Sequence, residues 1–276
     1  MQKVEANGAS IPVLGLGTWT LKDAACVALV SKALSIGYRH VDTAAAYGNE
    51  EAVGEGIRAS GVDREALFVT TKVWWTDIAA GDLERSAEAS LERLGLDRLD
   101  LLLIHWPNPQ VPLADSIRAL NRMRETGLTR HIGVSNFTTA LLAEAIRLSD
   151  APLVANQVEY HPYLDQDQVW RACRAAGMAM VSYCPLARGS RLFDDPAVAG
   201  AAARHGKTPA QIVLRWHVQQ EGVVAIPRTS NPARLSENAD IFDFALSDAE
   251  MAAISALGAA GQRICDYDFS PAWDAA

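Results

Sequence analysis

Seven short apolar segments recur along this chain of 276 residues, and each ends at a polar side chain that can take part in chemistry. Nearly every segment is followed by a stretch with the apolar spacing of a helix. Strands buried on both faces of a parallel sheet read as continuous apolar runs. The residues at the ends of the runs are Asp42, Lys72, His105, Ser135 with Asn136, Gln157, Tyr183 and Arg228. An eighth and weaker run follows at 241–244.

Alternation of such strands with helices favours either a barrel or an open doubly wound sheet. The open dinucleotide-binding sheet requires G-x-G-x-x-G between its first strand and first helix. Gly15-Leu16-Gly17 lacks the third glycine and follows a hairpin strand, whereas Gly54-Glu55-Gly56 lies inside a helical pattern. The pattern therefore predicts an α/β protein of the (β/α)8 TIM barrel type. In such barrels the carboxyl ends of the strands meet at one face, where active sites lie.

Both ends of the chain are predicted to lie outside the strand–helix repeat. Asn7-Gly8 between two short apolar segments is typical of a β-hairpin, which we expect at the bottom of the barrel. Capping boxes beginning at Thr208 and Ser247 mark two late helices. From Gly258 onward the periodicity is lost but aromatic residues recur, and we expect this C-terminal tail to fold over the mouth. No linker interrupts the chain, so a single domain over 1–276 is predicted.

Composition limits the possible partners. A net charge of −8 argues against nucleic acid, which requires a clustered basic surface. No apolar stretch approaches the ~20 residues of a membrane span, and the N-terminus lacks a secretory signal pattern. The four cysteines show neither C-x-x-C nor metal-finger spacing, which is typical of free thiols in a reducing compartment. We therefore predict a cytoplasmic monomer that binds small molecules, without membrane, nucleic acid or metal.

Asp42, Tyr47, Lys72 and His105 follow the first three runs and have complementary chemistry. A phenol with a pKa of ~10 is a poor acid at neutral pH. A nearby ammonium would lower that pKa, and a carboxylate would hold the ammonium in place. A tyrosine tuned in this way can protonate a carbonyl oxygen, while a neutral histidine orients the substrate. The set favours carbonyl reduction over hydrolysis, and a purely structural Lys–Asp pair is the alternative.

The later runs end in groups suited to a cofactor. Ser135, Asn136 and Gln157 carry neutral hydroxyl and amide groups that suit a carboxamide, and Tyr183 could stack on a flat ring. Strand-end capping and rim packing are the alternatives.

A cluster of cations and hydroxyls follows the seventh run. Arg228, Thr229, Ser230 and Arg234 surround a helix start at Asn231-Pro232, which is a favourable seat for a phosphate. Barrels often bind phosphate after strands 7 and 8. We interpret the cluster as an anion site, with solvated surface charge as the alternative.

At these residues the chain resembles the aldo-keto reductase family over essentially its full length. The matching motifs, in order, are 40–50, Lys72-Val73-Trp74, His105-Trp106-Pro107, 133–137 and 156–162. The resemblance implies a (β/α)8 barrel that reduces carbonyls with NADPH and without metal. It implies that Tyr47 is the general acid, that Lys72 and Asp42 tune it, and that His105 orients the substrate.

For the cofactor, the resemblance implies that Ser135, Asn136 and Gln157 bind the nicotinamide amide and that Tyr183 stacks on its ring. The remaining implied cofactor residues are Leu186, then Arg228, Thr229, Ser230 and Arg234 at the 2′-phosphate, and Glu237 and Asn238 at the adenine. Many relatives carry Lys-Ser where this chain has Arg228-Thr229, and the bidentate guanidinium is expected to retain a preference for NADPH. Cys184 and Arg188 also replace residues that are often small or neutral beside the pyrophosphate.

The tail at 269–274 is similar to the bacterial 2,5-diketogluconate reductase branch, particularly its B type, which also reduces methylglyoxal. The expected reaction is thus NADPH-dependent reduction of small aldehydes, ketones or keto-sugars. The residues expected to line the substrate pocket are Trp19, Trp74, Trp106 and Trp273. Two alternatives are a non-catalytic NADPH-binding sensor or scaffold on the same fold and a metal-dependent hydrolase. The hydrolase is disfavoured because the histidines lack ligand spacing such as HxH.

Overall fold

A computed structural model describes residues 2–189 and 191–274, and it contains an eight-stranded parallel sheet curled into a barrel. An antiparallel hairpin of β1 (Lys3–Ala6) and β2 (Ala9–Pro12) precedes it. The barrel strands are β3 (Leu16–Gly17), β4 (His40–Asp42), β5 (Phe68–Val73), β6 (Leu99–Ile104), β7 (Thr129–Ser135), β8 (Leu153–Glu159), β9 (Ala179–Tyr183) and β10 (Val223–Ala225). They are hydrogen-bonded in chain order. A parallel bridge between Leu14 and Ala225 joins the last strand to the first, so the predicted barrel is confirmed.

The expected numbering of the barrel strands was wrong by one. The first barrel strand is β3, which has only two residues and is too short to show a periodic pattern. The run at 241–244 is a loop and not a strand. Its apolar character reflects the burial of Ile241 in the core, whereas Asp243 faces outward and binds Lys207. The seven apolar runs are therefore barrel strands two to eight, and Arg228 follows the eighth strand.

Helices follow most of the strands and cover the barrel. They are α1 (Asp23–Ser35), α2 (Glu50–Ala59), α3 (Asp82–Leu94), α4 (Leu113–Glu125), α5 (Thr139–Leu148), α6 (Asp167–Ala175), α7 (Pro196–His205), α8 (Pro209–Gln219), α9 (Pro232–Ala239) and α10 (Asp248–Ser255). The predicted capping boxes at Thr208 and Ser247 are present at α8 and α10. Among the residues that the structure describes, every helix is too short or too polar to span a lipid bilayer.

The N-terminal hairpin closes the bottom of the barrel, as expected. Asn7 and Gly8 both have positive φ, at 46° and 87°, which is the turn geometry that favours this pair. The Asn7 side-chain amide donates to the carbonyl oxygens of Leu153 at 2.8 Å and Ala176 at 2.9 Å. Beneath the turn, Ile11 packs into the apolar interior of the strands. The polar strand ends therefore lie at the opposite face.

Helix α2 is held between its neighbours by close backbone contacts at glycine. A Cβ atom added at Gly54 would lie 2.1 Å from the carbonyl oxygen of Leu94, at the end of α3. The first residue of α2, Glu50, accepts a hydrogen bond from Thr71 Oγ1 at 2.5 Å and is also paired with Arg93. Because Thr71 lies on β5 next to Lys72, this packing also fixes the strand that carries Lys72.

We predict that Gly54→Ala lowers the free energy of unfolding by about 1–3 kcal/mol, because the added methyl group overpacks the α2–α3 contact. The matched control is Gly200→Ala in α7, where the nearest atom to the new Cβ is Arg204 Nη1 at 3.5 Å. That substitution should stabilise the protein by about 0.5–1 kcal/mol, the usual gain of alanine over glycine in a helix. Urea unfolding measures both. Equal stabilities for the two variants would contradict the proposed contact.

Candidate active site

The structure brings Asp42, Tyr47, Lys72 and His105 together at the carboxyl ends of the second, third and fourth barrel strands. Lys72 lies on β5 and its Nζ donates hydrogen bonds to Asp42 Oδ1 at 2.5 Å and to the Thr43 carbonyl oxygen at 2.8 Å. A third, longer contact of 3.4 Å joins Lys72 Nζ to Tyr47 Oη. The ring centroids of Tyr47 and His105 are 5.6 Å apart. The sequence-predicted set is thus one cluster.

A buried asparagine fixes the turn that presents Tyr47. Tyr47 ends a short 3-10 turn (Ala45–Tyr47) after β4. The Asn49 side-chain amide donates to the carbonyl oxygens of Thr18 at 2.8 Å and Leu21 at 3.0 Å, and its oxygen accepts from Thr43 Oγ1 at 2.9 Å. Asn49 thereby ties this turn to the loop after β3. Asn49 belongs to the 40–50 motif, but its residue type and position there did not indicate this role.

The environment of Tyr47 acts on its pKa in the direction opposite to the expected one. Burial raises the pKa of the Tyr47 phenol well above its usual range, and the Asp42 carboxylate adds to the effect. The net shift is therefore upward rather than downward as expected, because burial outweighs the stabilisation of the phenolate by Lys72. Asp42 Oδ1 lies 2.5 Å from Lys72 Nζ and offsets much of the Lys72 charge. Desolvation of the buried phenol therefore dominates the shift in the Tyr47 pKa. Tyr47 consequently carries its proton at neutral pH.

His105 is neutral, as expected. Burial lowers the pKa of the His105 imidazole well below its usual range, and the Lys72 charge adds to this shift. Its Nδ1 atom is buried and has no hydrogen-bond partner among the residues that the structure describes. A neutral imidazole carries one N–H donor and one acceptor. Because Nδ1 has no acceptor to bind, we assign the proton to Nε2, which leaves a donor for a group in the adjoining cavity.

A cavity of about 900 Å³ opens beside these residues. Of the residues predicted to hold a cofactor, those that line it are Asn136, Gln157, Tyr183, Leu186, Arg228, Thr229, Ser230 and Arg234. Ser135 lies behind this wall, where its hydroxyl donates to the Gln157 carbonyl oxygen at 2.8 Å. Glu237 and Asn238 lie on α9 outside the lining, with Glu237 Oε1 accepting from Thr208 Oγ1 at 2.8 Å.

Two side-chain amides are held in defined orientations at the cavity wall. Asn136 Nδ2 donates to the His105 carbonyl oxygen at 2.9 Å, and Asn136 Oδ1 accepts from Tyr183 Oη at 2.7 Å. Gln157 Nε2 donates to Asp42 Oδ2 at 2.7 Å. Both amides are buried and neutral, so this part of the cavity suits a neutral polar group. Through Gln157 it is also linked directly to the cluster around Lys72.

Aromatic side chains from the barrel and the tail form the remaining wall. Phe269 stacks on Trp75 with a centroid distance of 5.2 Å and meets the Trp74 ring edge-on at 5.5 Å. Tyr267 meets Trp106 edge-on at 5.8 Å. These contacts confirm that the tail folds over the mouth.

Of the tryptophans predicted to line the substrate pocket, Trp19, Trp74 and Trp106 line the cavity and Trp273 does not. Trp273 lies behind Trp106, with their ring centroids 6.0 Å apart, and the Arg263 guanidinium lies 3.7 Å from its centroid. Its indole Nε1 donates to Asp266 Oδ1 at 2.9 Å. Trp273 therefore supports the wall from outside.

A buried carboxylate attaches the tail to the barrel, and sequence analysis did not identify it. Glu159, at the end of β8, accepts hydrogen bonds from the backbone N–H groups of Ile264 at 2.6 Å and Cys265 at 2.7 Å. His161 Nε2 lies 3.0 Å from the same side chain. Burial alone would raise the pKa of the Glu159 carboxyl, but these hydrogen bonds lower it below its usual value. The available signal was a glutamate in an otherwise uncharged, buried strand, where an unpaired charge is rarely found.

We predict that Glu159→Ala detaches the tail. Hydrogen bonds to a charged acceptor contribute about 1.5–3 kcal/mol each, so the amides of Ile264 and Cys265 should exchange about tenfold faster or more. Hydrogen–deuterium exchange at these amides is the measurement. Glu221→Ala is the matched control, because Glu221 is 76% exposed and pairs with Arg174 away from the tail. Unchanged exchange in Glu159→Ala would show that the other contacts of the tail hold it without Glu159.

Comparisons with known proteins agree with this geometry. The profile of the Aldo/keto reductase family matches residues 13–259. An aldo-keto reductase of Mycobacterium sp. (strain JLS) is 45% identical over 252 residues, covering 91% of this chain and 91% of the relative. One from Mycobacterium tuberculosis is 46% identical over 249 residues, covering 90% and 88%.

Solved structures are similarly close. A crystal structure that bears the provisional name 2,5-diketo-D-gluconic acid reductase B superposes with a TM-score of 0.96 at 48% identity, covering 100% of this chain and 98% of that one. The Bombyx mori aldo-keto reductase in complex with NADP superposes with a TM-score of 0.89 at 35% identity, covering 96% and 94%.

Proposed function

This chain belongs to the aldo-keto reductase family, and from that premise we propose that it reduces small aldehydes, ketones or keto-sugars to alcohols with NADPH, using Tyr47 as the proton donor. The family is one of NAD(P)-dependent oxidoreductases. The observation that carries the residue assignment is the contact of Lys72 with both Asp42 and Tyr47 beside a cavity large enough for a dinucleotide and a small substrate.

The cavity has the chemistry that a phosphorylated dinucleotide requires. One end holds the neutral amides of Asn136 and Gln157 next to Tyr47, and Tyr183 forms an aromatic wall there. The other end holds the exposed guanidiniums of Arg228 and Arg234 at the N-terminus of α9. A carboxamide fits the first end and a 2′-phosphate the second. When bound, the reduced nicotinamide supplies a hydride equivalent to the carbonyl carbon.

Tyr47 then supplies the proton. Negative charge develops on the substrate oxygen during reduction, and an alkoxide is more basic than a phenolate, so transfer from Tyr47 Oη is favourable despite its raised pKa. Lys72 Nζ, at 3.4 Å, stabilises the phenolate that remains. The neutral His105 donates a hydrogen bond from Nε2 to the same substrate oxygen and orients the carbonyl.

The aromatic wall beside these groups suggests the substrate class. Trp74, Trp106, Tyr267 and Phe269 present aromatic faces and edges rather than an array of hydrogen-bonding groups. Such a surface favours a small or flat carbonyl compound such as methylglyoxal over a heavily hydroxylated keto-sugar. The structural neighbour provisionally named 2,5-diketo-D-gluconic acid reductase B makes diketogluconate the second compound to examine.

We also infer that the protein acts as a monomer in the cytoplasm. All groups of the candidate site come from one chain, and its four cysteines are free thiols. Thiols in this state are typical of reducing compartments.

Titration of the purified protein with NADPH and NADH, followed by NADPH oxidation with methylglyoxal and diketogluconate, tests the proposal. We expect tighter binding of NADPH and carbonyl-dependent oxidation that is faster with methylglyoxal. Binding without turnover on a broad carbonyl panel would favour a sensor role. Failure to bind NADPH would overturn the assignment of the cationic end.

We predict that Tyr47→Phe lowers kcat for carbonyl reduction by about 10²–10⁴-fold, the usual contribution of a general acid. NADPH affinity should stay near that of the parent protein, because the phenol hydroxyl faces the substrate. Tyr163→Phe is the matched control, since the Tyr163 hydroxyl contacts Asp195 at 3.3 Å outside the cavity. Steady-state kinetics and fluorescence titration measure the two quantities. Full turnover in Tyr47→Phe would assign the proton donor elsewhere.

We predict that Arg228→Ala weakens NADPH binding about 10- to 100-fold, because a charge-assisted hydrogen bond of about 1.5–3 kcal/mol to the 2′-phosphate is lost. NADH lacks that phosphate, so its affinity should change little. Arg171→Ala, which removes a 74% exposed guanidinium from α6, controls for net charge. Fluorescence titration with both nucleotides measures the difference. Equal losses for NADPH and NADH would place the phosphate at another group.

A further inference from the structure

Two cysteines that are distant in sequence meet at the rim of the cavity. Cys184 follows directly after β9, whereas Cys265 lies in the C-terminal tail. Their thiols are in hydrogen-bonding contact, and both residues line the cavity. The backbone N–H of Cys265 is bound to Glu159, which holds this part of the tail in place. The pair therefore joins the tail to the barrel at a position that small molecules can reach.

A guanidinium lies against both thiols. Arg188 Nη2 donates to Cys265 Sγ at 3.4 Å and is also in hydrogen-bonding contact with the Cys184 side chain. The Arg188 guanidinium also lies over the Trp19 ring, with its Cζ 5.1 Å from the ring centroid. A neighbouring cation stabilises a thiolate, and the thiolate is the reactive form of cysteine.

The two thiols have different roles in this contact. The hydrogen bond from the Cys265 thiol, with a further one from Arg188, lowers the pKa of Cys184 below its usual value although burial opposes the shift. The same hydrogen bond raises the pKa of Cys265 well above the usual range. Cys184 is also the more accessible of the two thiols, because Cys265 is buried. We therefore assign Cys184 as the nucleophile, and Cys265 keeps its proton until the second step.

The other two cysteines provide an internal contrast. Cys26 and Cys173 are fully buried in the core. Burial raises the pKa of Cys26 to about 11 and that of Cys173 to about 12. Neither lines the cavity. These thiols are therefore inert by comparison with Cys184.

The backbone around Cys184 is also unusual. Cys184, Ala187 and Arg188 have positive φ values of 50°, 47° and 56°, a region that residues other than glycine rarely adopt. Strained backbone of this kind persists where the surrounding structure fixes it and is frequent at functional sites. Here it belongs to the loop that carries both the nucleophilic thiol and its guanidinium partner.

We propose that Cys184 and Cys265 form a reversible dithiol–disulfide site that is oxidised by a peroxide and that ties the C-terminal tail covalently to the end of β9. The Cys184 thiolate attacks one peroxide oxygen, the O–O bond breaks, and hydroxide (or alkoxide) leaves, which gives a sulfenic acid. The Cys265 sulfur then displaces the sulfenic hydroxyl group, which leaves as water together with the Cys265 proton. Both sulfurs are oxidised and the peroxide is reduced, with an S–S bond as the product.

The expected consequence is a change in cofactor exchange. The sulfurs lie on the wall of the cavity to which we assign NADPH, so this consequence rests on the proposed function, whereas disulfide formation does not. A covalent link would prevent the tail from moving away from the barrel. Bound NADPH should in turn shield Cys184 and slow its oxidation.

Treatment of the full-length reduced protein with hydrogen peroxide, followed by intact mass spectrometry and thiol titration after denaturation, tests the proposal. We expect the mass to fall by two hydrogen atoms and the number of titratable thiols to fall from four by one pair. Peptide mapping should find Cys184 linked to Cys265, and dithiothreitol should restore the starting mass. Cys184→Ser and Cys265→Ser should each abolish this mass loss, while Cys173→Ala should retain it.

Three results would overturn the proposal: oxygen adducts on Cys184 without loss of hydrogen, a disulfide that involves Cys26 or Cys173, or a mass loss that persists in Cys184→Ser. A second measurement compares NADPH dissociation from the oxidised and reduced proteins by stopped-flow fluorescence. Slower dissociation from the oxidised protein is expected. An unchanged rate alongside a mapped Cys184–Cys265 disulfide would overturn only the link between the disulfide and cofactor exchange.

Discussion

The buried ion pair of Lys72 and Asp42 determines how the rest of the candidate site is arranged. Both side chains are almost completely inaccessible, at 0% and 2% exposure, and burying each charge costs several kcal/mol unless its hydrogen bonds are satisfied. The three ammonium protons can be taken up by Asp42, the Thr43 carbonyl oxygen and Tyr47. The second Asp42 oxygen accepts from Gln157. The hydrogen bonds that satisfy this ion pair therefore also fix the positions of the Tyr47 phenol and of the Gln157 amide.

The barrel explains why so much of this cluster could be predicted from the sequence. Asp42 pairs with Thr70 across the β4–β5 register, and Lys72 lies two residues further on the same face of β5. Position at a strand end is visible in the sequence as the end of an apolar run, so Asp42, Lys72 and His105 could be found without coordinates. The direction of the Tyr47 pKa shift could not, because it depends on how far Asp42 offsets Lys72 and on how deeply the phenol is buried. Strand β3 could not be predicted from the sequence, because a strand of two residues is too short to show a periodic pattern.

The C-terminal tail, in contrast, could be predicted from the sequence only in part. Its aromatic content predicted a cover over the mouth, but its attachment depends on residues that are far apart in the chain. Glu159 binds the tail at Ile264 and Cys265, and Thr139 binds it again through Asp274 at 2.7 and 2.9 Å. These polar contacts bracket the segment that carries Tyr267 and Phe269. Because no periodic pattern marks such an irregular segment, only the path of the chain reveals which buried group holds it.

The same rim contacts connect the tail with the cationic end of the cavity. Arg188 bridges Cys265 of the tail and the Trp19 ring, and the Trp19 carbonyl oxygen accepts a hydrogen bond from Arg228 Nε at 3.2 Å. Coupling between distant groups requires a physical connection through which a change at one is felt at the other. Here the connection runs over the mouth through exposed side chains rather than through the rigid strands. The contacts that lead from the tail to Arg228 are therefore separate from the Lys72–Asp42 pair and from the register of the barrel.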